Sequence, residues 1–108
     1  MGELNIEILR SLCRNDKIKW TLHALSRMRE RKILSEMVTD AILTGEIIKQ
    51  YVDDKPYPSC LIFNNNYTAP LHVVASTNGD SVFIITEYVP TTDEWYDDFK
   101  TRKTRKER

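Results

Sequence analysis

The hydrophobic residues of this chain change their spacing at Gly45, and this change constrains the fold more than any other feature of the sequence. Before Gly45, apolar residues recur at intervals of three or four, as do Leu4, Ile8 and Leu12. After it, short runs of β-branched and aromatic residues alternate with breaks that contain Gly, Pro and Asn. The first pattern is typical of amphipathic helices and the second of strands. The sequence therefore predicts helices first and a sheet afterwards.

Three helices are predicted in the N-terminal part of the chain. Thr21 and Ser35 are expected to be N-cap residues, because a hydroxyl side chain can accept a hydrogen bond from the first turn. Gly45 is expected to end the last helix from the C′ position. The predicted helices cover residues 3–13, 22–32 and 36–44.

Four strands are predicted after Gly45, joined by short breaks, so that consecutive strands pair antiparallel. Helices collected on one face of an antiparallel sheet make an α+β domain. Beyond the last strand, Trp95 and Phe99 stand four residues apart, which is compatible with a short C-terminal helix. The predicted strands cover residues 46–52, 59–63, 71–77 and 81–89.

The Asn-Gly pair at residues 78–79 predicts a tight hairpin between the last two strands, because a type I′ turn needs positive φ at both central positions. A two-residue loop would place Ala75 opposite Val82. His72 and Tyr88 would then lie on opposite faces of the sheet, unless a β-bulge intervenes.

The length and composition predict one domain over residues 1–99 and a basic tail over residues 100–108. The tail has no apolar side chain and is expected to be mobile. No apolar run approaches 18 residues, and the N-terminus does not resemble a signal peptide. Cys13 and Cys60 match no paired-cysteine motif, so a reducing cytoplasmic setting is expected. A core of this size gives modest stability, which a partner or a homodimer would increase.

The formal net charge of zero conceals a separation of charge along the chain. Residues 14–32 carry seven basic and two acidic side chains, a net charge of +5. Residues 33–99 carry two basic and eleven acidic side chains, a net charge of −9, and the tail adds +5. Separation of this kind predicts a local anionic partner for the basic segments. The alternative is that the charged blocks are solubilising surface.

The predicted helix over residues 22–32 contains a histidine and three arginines. On a helical wheel, Leu22, Leu25 and Met28 form an apolar side, and His23, Arg27 and Arg31 form a ladder on the opposite side with Ser26 and Glu30. A neutral imidazole can act as a general base, and guanidinium groups can stabilise the transition-state charge on a phosphate. The alternative is a solvated helix face in which Glu30 pairs with Arg27.

A second histidine, His72, lies among aliphatic residues on a predicted inner strand. It is either buried and hydrogen-bonded or directed into a cleft. His23, His72, Cys13 and Cys60 do not have the spacing of a zinc site, so no metal ligands are predicted.

Several sequence blocks resemble domain-of-unknown-function family 4258, a family of small prokaryotic proteins. The blocks "HALSRMRERKI", "PYPSCLIF", "PLHVVAS" and "IITEYVP…EW" occur in the order of the family pattern and extend from Trp20 to Trp95. Glu87 stands where that pattern usually has valine. The family is similar to the RelE/ParE-type toxins of toxin–antitoxin pairs, which implies a RelE-like fold with helices on an antiparallel sheet.

The resemblance implies a type II toxin that cleaves messenger RNA without a metal or other cofactor and is neutralised by a small antitoxin protein. In such ribonucleases the 2′-hydroxyl of the RNA attacks the adjacent phosphate. On the matched blocks, the candidate catalytic residues are His23, Arg27, Glu30, His72 and Tyr88, with Thr86 beside them, and Arg27 and Arg31 are candidate phosphate ligands. The alternative is a noncatalytic module that binds a protein partner.

Overall fold

The computed structural model describes residues 2–65 and 69–103, which form three helices and one five-stranded sheet. The sheet has the order β1-β5-β4-β3-β2. The α+β class and the order of helices before the main sheet, both predicted from the spacing change at Gly45, are confirmed. The elements are α1 (Ile6–Arg14), β1 (Ile18–Trp20), α2 (Leu22–Arg31), α3 (Ser35–Thr44), β2 (Glu46–Tyr51), β3 (Ser59–Asn64), β4 (Leu71–Thr77) and β5 (Val82–Tyr88).

The helices pack on one face of the sheet, and the core lies between them and the three central strands. Burial of this apolar surface is the main force that holds the helices on the sheet. The predicted stripe of α3, which contains Val38, Ala41 and Ile42, is buried here. The other core residues are Leu9 of α1, Ala24 of α2, Ile33, and the strand residues Cys60, Ile62, Leu71, Val73, Ala75, Val82 and Ile84.

Side chains cap the first two helices but not the third. The Asn5 side chain accepts a hydrogen bond from the backbone N–H of Glu7 at 2.7 Å and so caps α1. Leu34 occupies the N-cap position of α3, and no side chain caps that helix. The prediction that Ser35 caps α3 was therefore wrong, because Ser35 is already the first helical residue.

Gly45 ends α3 as predicted, but for a different physical reason. Its φ is −87°, so it does not use the left-handed conformation that favours glycine at a C′ position. A Cβ atom at this position would overlap the carbonyl oxygens of Ala41 and Phe63. The missing side chain lets the backbone pass between α3 and β3 directly into β2.

The sheet is mixed, and this corrects the prediction of about four antiparallel strands. The segment Ile18–Trp20 forms β1, which pairs parallel with β5, and Ile18 lies opposite Val82. The remaining neighbours in the sheet pair antiparallel. Three residues are too short a run for sequence periodicity to indicate a strand. The RelE-like fold that the family resemblance implies stays a prediction.

The register of β4 with β5 also differs from the prediction. Thr77 pairs with Val82, so four residues, 78–81, form the loop, and the Asn78 side chain accepts hydrogen bonds from two backbone N–H groups within it. A shift in the pairing beside Ile85 then adds one residue to β5. As a result His72 pairs with Tyr88 on one face. The prediction that they lie on opposite faces was wrong.

The C-terminal segment, residues 90–103, covers part of the face opposite the helices. It forms turns and one isolated bridge between Trp95 and Arg102, so the short helix expected around Trp95 and Phe99 is absent from this described segment. Trp95 is buried, and its ring lies 4.5 Å from that of His72. The C-terminal segment therefore packs on this face of the sheet and forms a second, smaller apolar layer with it.

The expected domain boundary at residue 99 falls inside this segment. Lys100 pairs with Glu46 on β2 at 3.1 Å, and Arg102 pairs with Glu94 at 3.2 Å. The mobility expected for the end of the tail concerns residues 104–108, which lie outside the described residues.

Candidate functional site

Helix α2 is held at both ends but presents a different face from the one predicted. Thr21 caps it by accepting a hydrogen bond from the N–H of Ala24 at 3.1 Å, as predicted, and also donates to the carbonyl of Ile84 on β5. Ala24 is fully buried, whereas Leu22 and Leu25 are 84% and 45% exposed. Of the predicted apolar side, Leu22 and Leu25 therefore face solvent, and Met28 packs against the core. Thr21 ties the start of the helix to β5, and this tertiary contact outweighs the helical-wheel pattern.

His23, Arg27 and Glu30 lie on the more exposed part of α2. The His23 side chain is exposed. Arg27 Nη1 donates to Glu30 Oε1 at 2.6 Å, which is the pairing that the solvated-face alternative predicted. An exposed pair at this spacing contributes a few tenths of a kcal/mol to stability. Arg27 lies one helical turn after His23 on the same helix.

Arg31 points to the sheet and contacts β5. Its Nη1 donates to the backbone carbonyl of Glu87 at 2.7 Å. The guanidinium therefore links the end of α2 to the strand that carries Tyr88. This contact gives Arg31 a structural role that sequence spacing did not indicate.

Glu87 is the functional candidate that the sequence analysis missed. The extra residue at Ile85 turns its side chain to the helix face, where it is fully buried. No described residue donates a hydrogen bond to either carboxyl oxygen. Burial raises the pKa of this carboxyl to about 7, against the weaker opposing effects of its own backbone N–H and of Arg31. The one sequence signal was the acidic residue where the resembled pattern has valine.

Five cations between residues 14 and 32 are exposed: Arg14, Lys17, Lys19, Arg29 and Lys32. We call this set the basic surface; Arg29 lies on α2 and Lys32 is its C-cap, whereas Lys19 on β1 pairs with Phe83 and lies on the sheet face opposite the helices. None of them makes an ion pair within the described residues, whereas Arg10, Arg27, Lys100 and Arg102 do. Uncompensated cations attract anionic partners.

His72 and Tyr88 form a separate polar cluster under the C-terminal segment. His72 Nε2 lies 2.7 Å from the carbonyl oxygen of Phe99, which can only accept, so Nε2 carries the proton. Nδ1 then accepts from the Tyr88 hydroxyl at 3.3 Å. Burial lowers the pKa of His72, although its bond to Phe99 opposes this effect, and burial raises the pKa of Tyr88 to about 12. The cluster is therefore neutral, and its hydrogen bond to Phe99 attaches the C-terminal segment to β4.

The predicted site residues therefore occupy two faces of the sheet. His23, Arg27 and Glu30 lie together on α2, and Arg31 contacts β5 from the same helix. His72 and Tyr88 lie together on the opposite face beneath Trp95. No group of three or more His, Cys, Asp or Glu in the described parts of the chain is arranged to hold a metal ion.

A family model matches residues 20–89, and the protein belongs to the family described as Domain of unknown function (DUF4258). The matched residues include α2, Gly45, His72 and Glu87, so they span both faces. Neither the curated proteins nor the solved structures contain a match to this chain. Within the described ranges, no helix is long and apolar enough to cross a membrane.

Proposed function

We propose that this protein is a cytoplasmic toxin of the type II class that binds single-stranded RNA on α2 and cleaves it without a metal. The observation that carries the proposal is the exposed histidine of α2, His23, on a helix whose C-terminal end carries the unpaired cations Arg29 and Lys32. Phosphate contacts from such cations supply most of the sequence-independent affinity for nucleic acid.

The chemistry assigned to α2 is transesterification by the RNA itself. The 2′-oxygen forms a bond to the adjacent phosphorus as the bond from phosphorus to the 5′-oxygen breaks. His23 accepts the 2′-hydroxyl proton, and Arg27, held by Glu30, stabilises the charge on the nonbridging oxygens. Tyr88 contacts His72 on the opposite face of the sheet, so it does not donate a proton to the leaving 5′-oxygen. That oxygen takes its proton from water instead.

The test measures cleavage of a labelled single-stranded RNA in the presence of chelator. His23→Ala and Arg27→Ala are each expected to slow cleavage about 10²-fold or more, as expected for loss of one preorganised catalytic group. Lys49→Ala on β2 removes an exposed charge away from α2 and is the matched control. Thermal melts should show that all variants fold. Cleavage by both α2 variants at the wild-type rate would refute the assignment.

A noncatalytic protein-binding module is the second candidate, and the exposed leucines of α2 favour it. Leu22 and Leu25 lie one turn apart on the outer side of the helix, flanked by Arg29 and Lys32. Exposed apolar side chains ringed by charge are typical of protein-binding surfaces. The expected partner is a small acidic protein, such as an antitoxin.

Co-purification with the product of the neighbouring reading frame tests this second function. Leu22→Ser with Leu25→Ser should abolish the complex and leave RNA cleavage unchanged. Leu34→Ser removes an exposed leucine outside α2 and is the control. An intact complex with the doubly substituted protein would contradict a binding role for this surface.

A further inference from the structure

A cleft of about 290 Å³ opens on the part of the sheet face that the C-terminal segment leaves uncovered. Its floor consists of Ser59, Ser76 and Phe83, which are cross-strand neighbours on β3, β4 and β5. One wall is the loop between β2 and β3, which contributes Asp54 and Tyr57. The volume is at the lower end of the range for small-molecule sites, about 300 Å³.

The lining of the cleft includes two aromatic rings, and its exposed surface is mainly apolar. The rings of Tyr57 and Phe83 lie nearly parallel, at an interplanar angle of 14° with their centroids 6.1 Å apart. Tyr57 is 41% exposed, so its side chain is accessible from solvent. Flat aromatic groups stack favourably on such surfaces, and each nucleic-acid base has a suitable face.

Asp54 supplies the carboxylate of the cleft. One of its oxygens accepts a hydrogen bond from the Ser59 hydroxyl, which fixes the carboxylate against the sheet. Asp54 makes no ion pair in the described part of the protein, so its remaining acceptor positions stay available. The hydroxyls of Ser76 and Thr21 already donate, to Pro58 and Ile84 respectively. The carboxylate is therefore the acceptor in the cleft that can select a ligand with adjacent donors.

Among the RNA bases, guanine matches a fixed carboxylate best. Its Watson–Crick edge offers two adjacent donors, N1–H and the N2 amino group, to the two carboxylate oxygens. Adenine and cytosine place a ring acceptor beside their amino group, and uracil flanks its single donor with carbonyl oxygens. In each of these three bases a lone pair would face the carboxylate, and such a contact is unfavourable.

The position of the cleft connects it with α2. Thr21, which lines the cleft, is the N-cap of α2, and His23 follows two residues later. Lys55 stands on the same wall as Asp54 and is exposed, with no ion pair among the residues described. A base held in the cleft would thus leave its phosphate beside a free cation and near the start of the proposed RNA-binding helix.

We propose that this cleft binds a guanine base, which stacks on the Tyr57 ring of the Tyr57–Phe83 pair and donates two hydrogen bonds to Asp54. We place this guanine in the RNA that binds α2. The inference therefore deepens the proposed function, and the RNA origin of the base rests on that function. The cleft thereby gives the protein a preference for guanine-containing RNA.

The first experiment titrates the full chain with the four nucleoside monophosphates and measures binding by calorimetry. Guanosine monophosphate should bind at least about tenfold more tightly than the others, since a good bidentate contact discriminates by about 1–3 kcal/mol. Asp54→Asn should abolish this preference, and Tyr57→Ala should weaken the binding of all four nucleotides by a similar factor. Asp53→Asn, which changes the neighbouring carboxylate outside the cleft, should behave as wild type. Equal binding of all four nucleotides, or no effect of Asp54→Asn, would overturn the proposal.

The second experiment separates RNA from free nucleotide as the source of the base. A uridine oligomer with one guanosine should bind more tightly than the all-uridine oligomer, and Asp54→Asn should remove the difference. Equal binding of the two oligomers, with guanosine monophosphate still bound, would assign the cleft to free nucleotides and refute the RNA preference. Guanine binding by a protein that cleaves no RNA would refute the ribonuclease function and leave the cleft's specificity standing. RNA cleavage by a protein that does not bind guanine would refute the guanine site and leave the ribonuclease function standing.

Discussion

At the scale of single residues, the position of Glu87 is set by one additional residue in β5. Without the extra residue at Ile85, the strand alternation would place Glu87 on the face opposite the helices. With it, a carboxyl is enclosed in the core, and no hydrogen-bond partner is present among the described residues. An unpaired buried polar group lowers stability by the full cost of its desolvation. Glu87 is therefore a destabilising residue at neutral pH.

Glu87→Gln is expected to stabilise the protein in a pH-dependent manner. The folded pKa is about 7 against an ordinary value of 4.5, so only the unfolded state ionises between these values. Stability is therefore lost as pH rises from about 4.5 to about 7, and the loss is complete above that range. At 1.36 kcal/mol per pKa unit, the variant should gain about 3 kcal/mol at pH 8 and much less at pH 5. Denaturant melts at both pH values measure this, with the exposed Glu3→Gln as control. An equal gain at both values would contradict it.

At the scale of elements, the C-terminal segment acts as a strap across the sheet, with His72 as its main attachment. The imidazole donates to Phe99, accepts from Tyr88 and packs edge-on against Trp95. Burial disfavours a charge on this ring and so lowers the pKa of His72, which makes the neutral imidazole the form that the packed segment favours. The attachment of this segment is therefore linked to the protonation of a single side chain.

Mild acid is expected to release the C-terminal segment before the domain unfolds. The folded pKa of His72 is depressed by burial, so its contribution to stability is present above the ordinary value of 6.5 and is lost as pH falls below it. In a Trp20→Phe background, Trp95 is the only tryptophan and its fluorescence reports the segment. Its emission should shift to longer wavelength as pH falls, while far-UV circular dichroism stays constant.

Two matched variants test the assignment to His72. His72→Gln should remove the acid-dependent shift, whereas His23→Ala, which changes the exposed histidine, should leave it unchanged. A shift that persists in the His72 variant would show that another group controls the segment.

At the scale of the whole molecule, charge is separated between the basic surface and the acidic remainder of the domain. The residues from 14 to 32 carry a net +5 and those from 33 to 99 a net −9. The exposed cations of the basic surface make no ion pairs within the described ranges, so their charge is directed outward. A molecule with this distribution attracts anions, and it also attracts the acidic side of a second copy.

Weak self-association is therefore expected at low ionic strength and neutral pH. Sedimentation velocity should detect dimers at about 10 mM salt, where charges interact over about 30 Å, and mainly monomer at about 0.5 M. Lys17→Glu with Lys19→Glu should abolish the association, because these residues are exposed on the basic surface. Exchange of both for arginine is the control and should preserve it. A sedimentation coefficient that is independent of salt would contradict an electrostatic origin.

The sequence by itself determined the features that depend on local spacing and backbone chemistry. The positions of the three helices follow from three- and four-residue apolar spacing and from the Thr21 cap, although α1 begins only at Ile6, after its Asn5 cap, and not at residue 3 as predicted. The main strands follow from their β-branched runs. The division of charge is likewise a property of the sequence. The Arg27–Glu30 pair was foreseen because residues three apart on a helix are neighbours.

Only the tertiary structure decided which groups share a face. The extra residue at Ile85 reversed the alternation of β5, and it brought Tyr88 to His72 and Glu87 into the core. β1 was too short to show a period, yet its pairing with β5 and the Thr21 contact set the rotation of α2 and exposed Leu22. The cleft at Asp54 combines the loop before β3 with residues of β4 and β5 that lie farther along the chain. Such juxtapositions arise from long-range pairing, and local periodicity carries no information about a bulge or a cleft.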